Sequence, residues 1–436
     1  MAEAFDSIII GAGAAGLYAA MHAAKRGRRV LVLERNAEPG AKIIISGGGR
    51  CNFTNLSGAD HARYLSANPH FARSALSRHP PADFIALVQK HGITFYEKTL
   101  GQLFCEGARS SRKIVRMLLA ECAGADIRYG CAVKTVRRGE RFIVETEQGA
   151  FESETLAIAT GGLSIPKLGA TQFAYTIARQ FGVPIVETRP GLVPLTFDAS
   201  DLDWLRSLAG VSTEIIASSG GASFREAALI THRGLSGPAI LQISSYWRER
   251  ERIAIDWLAG AGDDVLARRK RQRPKLALKN ALSELLPDRL ATALLATPGA
   301  PPPLEGEGEG GGVRRDGGRS TRRTFDAAGH RHPHPWPLPP PGGGEMPLHD
   351  MKDAALTDIA RALKAWPLSP AGTEGYSKAE VTTGGVSTGA LSQQSMECKA
   401  VPGLFFIGEC VDVTGWLGGY NFQWAWSSGW AAGQAL

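Results

Sequence analysis

SIIIGAGAAGLYAA, Ser7 to Ala20, sets an apolar run directly against three spaced glycines. Gly11, Gly13 and Gly16 fit the pattern G-x-G-x-x-G, which alone is a weak signal; its context strengthens it. Asp6 to Ile10 reads as a short strand, Ala14 to Lys25 as a helix of small residues, and Arg29 to Glu34 (RVLVLE) as a second strand, together a βαβ unit. Gly11 permits the tight turn, Gly13 lets the backbone approach a pyrophosphate, and Gly16 lets helix and strand pack closely. The helix start offers free N–H groups and partial positive charge to phosphates. Glu34, 18 residues beyond Gly16, is placed to accept hydrogen bonds from an adenosine ribose and to repel a 2′-phosphate. A dinucleotide is implied; FAD and NAD are not separated by this stretch.

The far end of the chain separates them. Gly408-Glu409-x-x-Asp412 follows the apolar strand GLFFI (403–407), and Gly418-Gly419-Tyr420-Asn421-Phe422-Gln423 precedes a helix holding Trp424 to Ala432. A nicotinamide dinucleotide domain has no need of a distant strand with an acid at its tip. FAD is longer: a carboxylate on a returning strand can bond its ribityl hydroxyls while the next helix start faces the flavin's pyrimidine carbonyl. Closer to the fingerprint, ISGGGRCNFTN (Ile45 to Asn55) carries three consecutive glycines, entropically costly unless something must approach the backbone closely.

Between these ends, Ser110 to Cys122 has helical spacing, Phe142 to Glu147 alternates like an exposed hairpin strand, and Thr155 to Thr160 (TLAIAT) reads as a buried strand stopping at Gly161-Gly162. From about 190 to 258 the pattern becomes β-like, 259 to 296 helical, and 348 to 366 helical again. The segment 297–346 has 12 Gly and 10 Pro among 50 residues, a composition that cannot assemble a core; it reads as a disordered insertion, and its His330, His332 and His334 as no metal site. The expected domains are 1–189 (FAD-binding, first part), 190–258 (β-rich insert), 259–366 (helical subdomain with the 297–346 insertion) and 367–436, returning to the β-rich and FAD-binding domains.

Bulk properties exclude other classes. With 436 residues, 44% hydrophobic and 21% charged, the chain is long enough for several cores and is neither fibrous nor wholly disordered. Its start, MAEAFDSIII, lacks the basic region of an export signal, and the Trp-rich C-terminal stretch is too interrupted for a membrane span. Six cysteines without a C-x-x-C pair argue against a disulfide framework and for a reducing cytoplasm. The run Arg268, Arg269, Lys270, Arg271, Arg273, Lys275, Lys279 holds as many bases as the net charge of +7 and reads as a solvated helix face, with a phosphate or nucleic-acid contact as the sharper alternative.

With these residues in hand, the chain resembles the BaiN/RdsA-type FAD-dependent oxidoreductases, the bacterial group also called aminoacetone-oxidase-like or YhiN-like flavoproteins. The resemblance rests on SIIIGAGAAGLYAA, GAKIIISGGGRCNFTN, THRGLSGPAILQIS, and AEVTTGGVS running on to MECKAVPGLFFIGECVDVTGWLGGYNFQWAWSSGWAAG. It implies an α/β fold: a Rossmann-like two-dinucleotide-binding FAD domain made from both chain ends, with an inserted β-rich domain and a helical subdomain. It further implies Gly11, Gly13, Ala15 and Gly16 on the pyrophosphate, with Glu34 and Arg35 at the adenosine and Val133 meeting the adenine by its backbone. Lys42, Ser46, Gly47, Gly48, Gly49, Arg50 and Asn52 would run along the flavin, and Thr160, Gly161 and Gly162 would close over the dinucleotide. Gly408, Glu409 and Asp412 would hold the ribityl and phosphate side, and Gly419, Asn421, Phe422 and Gln423 the pyrimidine end. Thr171-Gln172 and Phe181-Gly182 depart from the group's pattern.

The implied activity passes a hydride through flavin N5, from NAD(P)H to an unsaturated small-molecule acceptor or dioxygen. No second fingerprint of good context exists, so NAD(P)H is expected only as a transient co-substrate. His232, in the loop Thr231 to Pro238, is a weak candidate acid, and Cys51 reads as buried packing rather than a redox thiol. An amine or aminoketone oxidase, a flavin-dependent tRNA-modifying protein and a non-catalytic flavin sensor are the alternatives. No metal, membrane or nucleic-acid partner is expected, and the oligomeric state is not legible.

Overall fold

The computed structural model of the chain describes residues 2–296 and 345–436. The Gly/Pro-rich stretch, apart from Glu345 and Met346, and the three histidines within it lie outside the described residues. The chain divides into two compact units, Met1–Val193 with Glu374–Leu436, and Pro194–Thr373.

In the first unit, strand Glu3–Ile10 lies inside a seven-stranded sheet. It pairs in parallel with Val30–Leu33 on one side and Gly149–Ile158 on the other, and Ala125–Arg128 adds in parallel beyond Val30–Leu33. Ile8, Ile9, Leu31, Val32, Leu156 and Ala157 are wholly buried, which is why these strands read as unbroken apolar runs rather than alternating ones. Strand Gly149–Ile158 is shared along its length. Residues 149–153 pair antiparallel with Phe142–Thr146, which continues to Val133–Arg138, while residues 156–158 pair in parallel with Leu404–Phe406. Residues from beyond position 400 thus complete a sheet begun at residue 3.

Register fixes where the chain leaves the sheet. Ile10 stands opposite Leu33 and Ile158, and Ile158 opposite Phe406, so Gly11, Glu34, Ala159 and Ile407 emerge together at the carboxyl edge. In open parallel sheets ligands bind at that edge.

Helix Ala14–Lys25 packs against helix Tyr420–Gly433. A β-carbon at Gly429 would stand 2.6 Å from the Ala15 carbonyl oxygen, and one at Gly433 2.7 Å from His22 Cβ, so both glycines are required by helix contact. Trp426 stacks on Phe84 with ring centroids 4.2 Å apart, and its indole N–H donates to the Phe53 carbonyl at 2.8 Å, so a large buried ring leaves no orphaned polar atom.

A three-stranded antiparallel sheet, ordered Asn52–Asn55, Gln102–Cys105, Phe95–Glu97, follows the triple glycine, in a region where no element is legible from the sequence pattern. Its core face carries Phe53 and Phe95, edge to face at 5.5 Å; its other face carries Tyr96 and Phe104, nearly parallel (22°) at 5.9 Å. The triple glycine itself ends helix Ala41–Gly49, whose regular geometry breaks at Ser46 (ψ 149°) and turns left-handed at Gly47 and Gly48.

The second unit is built on an antiparallel sheet ordered Trp366–Leu368, Ile253–Asp256, Ser212–Ser219, Ala222–Thr231, Gly234–Ser236, Leu195–Thr196, Gly372–Thr373. Helices Val265–Gln272, Leu278–Ser283, Asp288–Ala296 and Asp353–Lys364 bury Leu266, Leu278, Leu282, Leu290, Leu294, Leu356 and Leu363.

Candidate functional site

At the carboxyl edge of the parallel sheet, Gly11 has φ +110°, and a β-carbon there would stand 2.6 Å from the Ala159 carbonyl oxygen; one at Gly16 would stand 1.9 Å from the Gly11 oxygen. Gly13 is different: nothing lies within 4 Å of its would-be β-carbon. Two glycines therefore serve packing, and the third borders open space. Helix Ala14–Lys25 has no side-chain cap and no acid in its first turn, so its leading N–H groups and dipole are uncompensated by side chains. Ala15, in that turn, is 6% exposed.

Glu34 is nearly buried and oriented by the backbone: one carboxylate oxygen accepts from Ala12 N–H and the other from Asn36 N–H, each at 2.8 Å. Arg35 is exposed and donates to the Gly169 carbonyl at 3.4 Å. The Glu34 carbonyl accepts from Cys131 N–H, which brings Val133, the first residue of its strand, near the acid.

Across from this turn, Lys42 Nζ donates to Ser164 Oγ and to Glu409 Oε2, both at 2.6 Å. The other Glu409 oxygen accepts from Ser164 Oγ (2.8 Å) and Thr382 N–H (3.0 Å). Gly162 is packed against this cluster, its would-be β-carbon 2.5 Å from Thr382 Oγ1, and Gly161, at φ +72°, would meet only the Glu409 carboxylate at 3.8 Å. A β-carbon at Gly408, which has φ +70°, would stand 2.8 Å from Ala15 Cβ. Thr160 Oγ1 is buried and has no hydrogen-bond partner within the described residues. Ser164 and Thr382 carry no sequence signal of their own; only the fold brings Lys42, Ser164, Thr382 and Glu409 to one point.

The triple glycine divides in the same way. A β-carbon at Gly47 would stand 2.8 Å from the Phe104 ring, whereas Gly48 has nothing within 4 Å and Gly49 only Arg109 Cα, at 4.0 Å. Ser46 Oγ donates to the Ile43 carbonyl, and Arg50 donates to the Tyr96 hydroxyl at 3.0 Å. Cys51 is buried at φ +52°, and burial pushes its thiol pKa up, with Cys105 close enough to add to the effect. The six cysteines are free and buried. Cys105 is the neighbour that sequence spacing does not reveal.

At the other end, several predicted side chains are already engaged by the protein. In the orientation that satisfies its amide, Asn52 donates to the Thr54 and Leu103 carbonyls and accepts from Gly419 N–H. Asn421 closes its own turn, accepting from Gly415 N–H at 2.9 Å and donating to the Gly415 carbonyl at 2.8 Å. Gln423 is fully buried, accepting from Thr54 Oγ1 and donating to the His79 carbonyl and Ser427 Oγ. Phe422 is half-buried and stacks on Trp426. Asp412 is 4% exposed; burial raises its pKa, opposed by hydrogen bonds from Ala67 N–H (2.8 Å) and Ser66. His232 belongs to the second unit, exposed in the turn between strands Ala222–Thr231 and Gly234–Ser236.

Among the described residues no group of His, Cys, Asp and Glu could hold a metal ion, and no helix is long and apolar enough to cross a membrane. Four of the basic run's seven residues lie on helix Val265–Gln272 and Arg273 caps it; Arg268, Arg269, Lys270, Arg271 and Arg273 each face an acid: Asp264, Glu284, Asp353, Asp353 and Glu284.

Curated relatives match the chain in sequence nearly end to end. It is 44% identical over 442 residues to an Escherichia coli K12 protein named ribosomal RNA dihydrouridine synthase, covering all of this chain and 98% of that one. A Haemophilus influenzae protein of the same name is 41% identical over 445 residues, covering 100% and 99%. A Clostridium scindens 3-dehydro-bile acid delta(4,6)-reductase is 26% identical over 447 residues, covering 98% of each. The HI0933-like protein Rossmann domain matches residues 5–435, so one family pattern reaches from one end of the sequence to the other. The fingerprint, the returning strand and these full-length matches place the chain in the HI0933-like family, as an FAD-dependent oxidoreductase.

Proposed function

We propose that the protein reduces the C5=C6 double bond of uridine in ribosomal RNA, using FAD as resident cofactor and NADH or NADPH as electron source. The observation that carries this reading is the 44% identity, end to end, with the relative named for that reaction. The more distant reductase supports the same chemistry on another substrate, since its name and the first describe hydrogen added across a C=C bond conjugated with a carbonyl. The expectation that nucleic acid is not a partner is given up in this reading, and the cytoplasm remains the expected compartment.

The residues present suit FAD. Open space beside Gly13, the uncapped helix start and the partnerless Thr160 hydroxyl suit a pyrophosphate and its neighbouring hydroxyls. Glu34, held by two backbone N–H groups, suits a ribose diol. FAD, when bound, supplies hydride exchange at N5. Lys42 keeps one N–H beyond those given to Ser164 and Glu409, and Glu409 balances its charge, so the pair can orient a polar ligand without leaving an isolated ion in a partly buried place. The open backbone at Gly48 and Gly49 admits a flat ring where side chains would exclude it. Asn421 and Gln423, whose side chains are engaged internally, would contribute through their backbone and through the helix start they shape.

The test is incubation of unmodified, in vitro transcribed ribosomal RNA with purified protein, FAD and NADH or NADPH, followed by nucleoside mass spectrometry. Dihydrouridine should appear, with one nicotinamide cofactor oxidised per uridine reduced. Unchanged RNA alongside rapid reduction of a steroid enone would move the protein to the other reductase's chemistry.

A further inference from the structure

The three-stranded sheet next to the triple glycine has a second face, away from Phe53 and Phe95, on which Phe104 is buried against the glycine turn and Tyr96 stays partly exposed. Its strands place Asn52, Phe104 and Tyr96 in one row, opposite each other in register. The row runs from the glycine turn to the sheet edge, because Phe95–Glu97 is the last strand. Two strand spacings make that path about 10 Å, the scale of one or two nucleotides. Phe104 is seated against Gly47, Tyr96 lies nearly parallel to Phe104, and Arg50 holds the Tyr96 hydroxyl. Lys98, just past the end of the edge strand, is exposed, and its ammonium, 5.6 Å from the Phe104 ring centre, lies over the same face. Glu97 points its carboxylate to Gly101 N–H instead, leaving the face cationic. Leu100, in the turn between Phe95–Glu97 and Gln102–Cys105, and Leu56, just past Asn52–Asn55, are 65% and 53% exposed.

We infer that this face is the platform on which single-stranded RNA flanking the target uridine stacks, Tyr96 offering a ring to a neighbouring base and Lys98 and Arg50 meeting phosphates. The inference rests on the RNA reading above. Aromatic rings interleaved with cations are the pattern that single strands require, and the charge sign matches a phosphate backbone. The platform opens at the glycine turn, so a strand lying on it delivers its next base toward the cofactor place rather than past it.

The probe is a fluorescein-labelled oligouridylate of about ten nucleotides, a length within the usual single-strand site size, read by fluorescence anisotropy on FAD-loaded full-length protein. Tyr96→Ala should weaken binding about tenfold, the range expected for one lost base stack, and Tyr96→Phe should restore it. Lys98→Gln should flatten the slope of log affinity against log salt by about 0.7, one single-strand phosphate. Wild-type affinity in Tyr96→Ala overturns the platform and leaves the RNA reading standing. A raised NADH requirement in Tyr96→Ala with unchanged oligouridylate affinity also overturns it, by giving the face to the nicotinamide nucleotide. Failure of the wild-type protein to bind the probe at all removes the RNA reading and the platform with it.

Discussion

Removing the Lys42 ammonium leaves Glu409 without its counter-charge and Ser164 Oγ without its donor, 2.6 Å contacts in both cases. Lys42→Met should therefore raise the Kd for FAD about tenfold, equivalent to about 1.4 kcal/mol, as read by quenching of flavin fluorescence; an unchanged Kd would show that the pair serves only the protein. Glu409 carries a sequence signal because it follows the returning strand Leu404–Phe406, and Lys42 is singled out only by the family resemblance of GAKIIISGGGRCNFTN. Ser164 and Thr382 were not legible, since a hydroxyl in a loop has no spacing to mark it until the fold delivers it. Gln423 shows the reverse difficulty. The resemblance sets it at the flavin's pyrimidine end, yet in the first turn of helix Tyr420–Gly433 its side chain satisfies Thr54, His79 and Ser427 in the core, where leaving those groups unpaired would cost about 1–3 kcal/mol each.

Pairs of elements carry their own predictions. The close contact of helices Ala14–Lys25 and Tyr420–Gly433 leaves no room for a methyl at Gly429. Gly429→Ala should cost about 1–3 kcal/mol through overpacking, seen as a lower urea midpoint with an unchanged slope. His22 lies on the first of these helices and His79 stacks on Trp430 of the second; the two imidazole rings meet at 6.1 Å, with the Tyr18 hydroxyl 2.8 Å from His79 Nε2. Burial lowers the His22 pKa to about 4, helped by Lys25, and the His79 pKa to about 3, helped by His22. Both imidazoles thus stay neutral in the folded protein over a range where the unfolded chain, with pKa about 6.5, takes up protons. Their contribution is complete above about pH 6.5 and is lost as pH falls toward 4 and then 3, at roughly 1.4 kcal/mol per pH unit for each ring. Urea titrations at pH 7.5, 5.5 and 4.5 should show that decline, and His22→Phe should reduce its slope. The helices themselves were readable from small-residue and aromatic runs. The three-stranded sheet was not, because its strands are three or four residues long, Cys51 leaves the helix in a left-handed conformation, and a residue shift interrupts the pairing between Asn52 and Thr54.

For the molecule as a whole, the net charge of +7 and isoelectric point near 9.1 suggest an RNA-binding protein, and the densest basic run invites the assignment. Pairing changes that reading: five of its seven cations already face Asp264, Glu284 or Asp353. The double variant Lys270→Gln, Arg271→Gln should shift oligouridylate affinity less than about twofold, since exposed ion pairs contribute little and their cations are partly spent; a tenfold loss would put the contact on that helix. The parallel sheet was largely legible, because fingerprint, second strand and returning strand each have a local signature. Its internal division was not, since nothing local in residues 149–158 announces that one half pairs with a hairpin and the other with Leu404–Phe406. That last pairing sets a timetable. A ribosome making this chain finishes Pro194–Thr373 as one continuous piece while the sheet that precedes it still lacks Leu404–Phe406 and the helix behind it. The inserted unit can mature first, and the cofactor place, though its fingerprint precedes that unit in the chain, closes only once Leu404–Phe406 and the helix after it have been made.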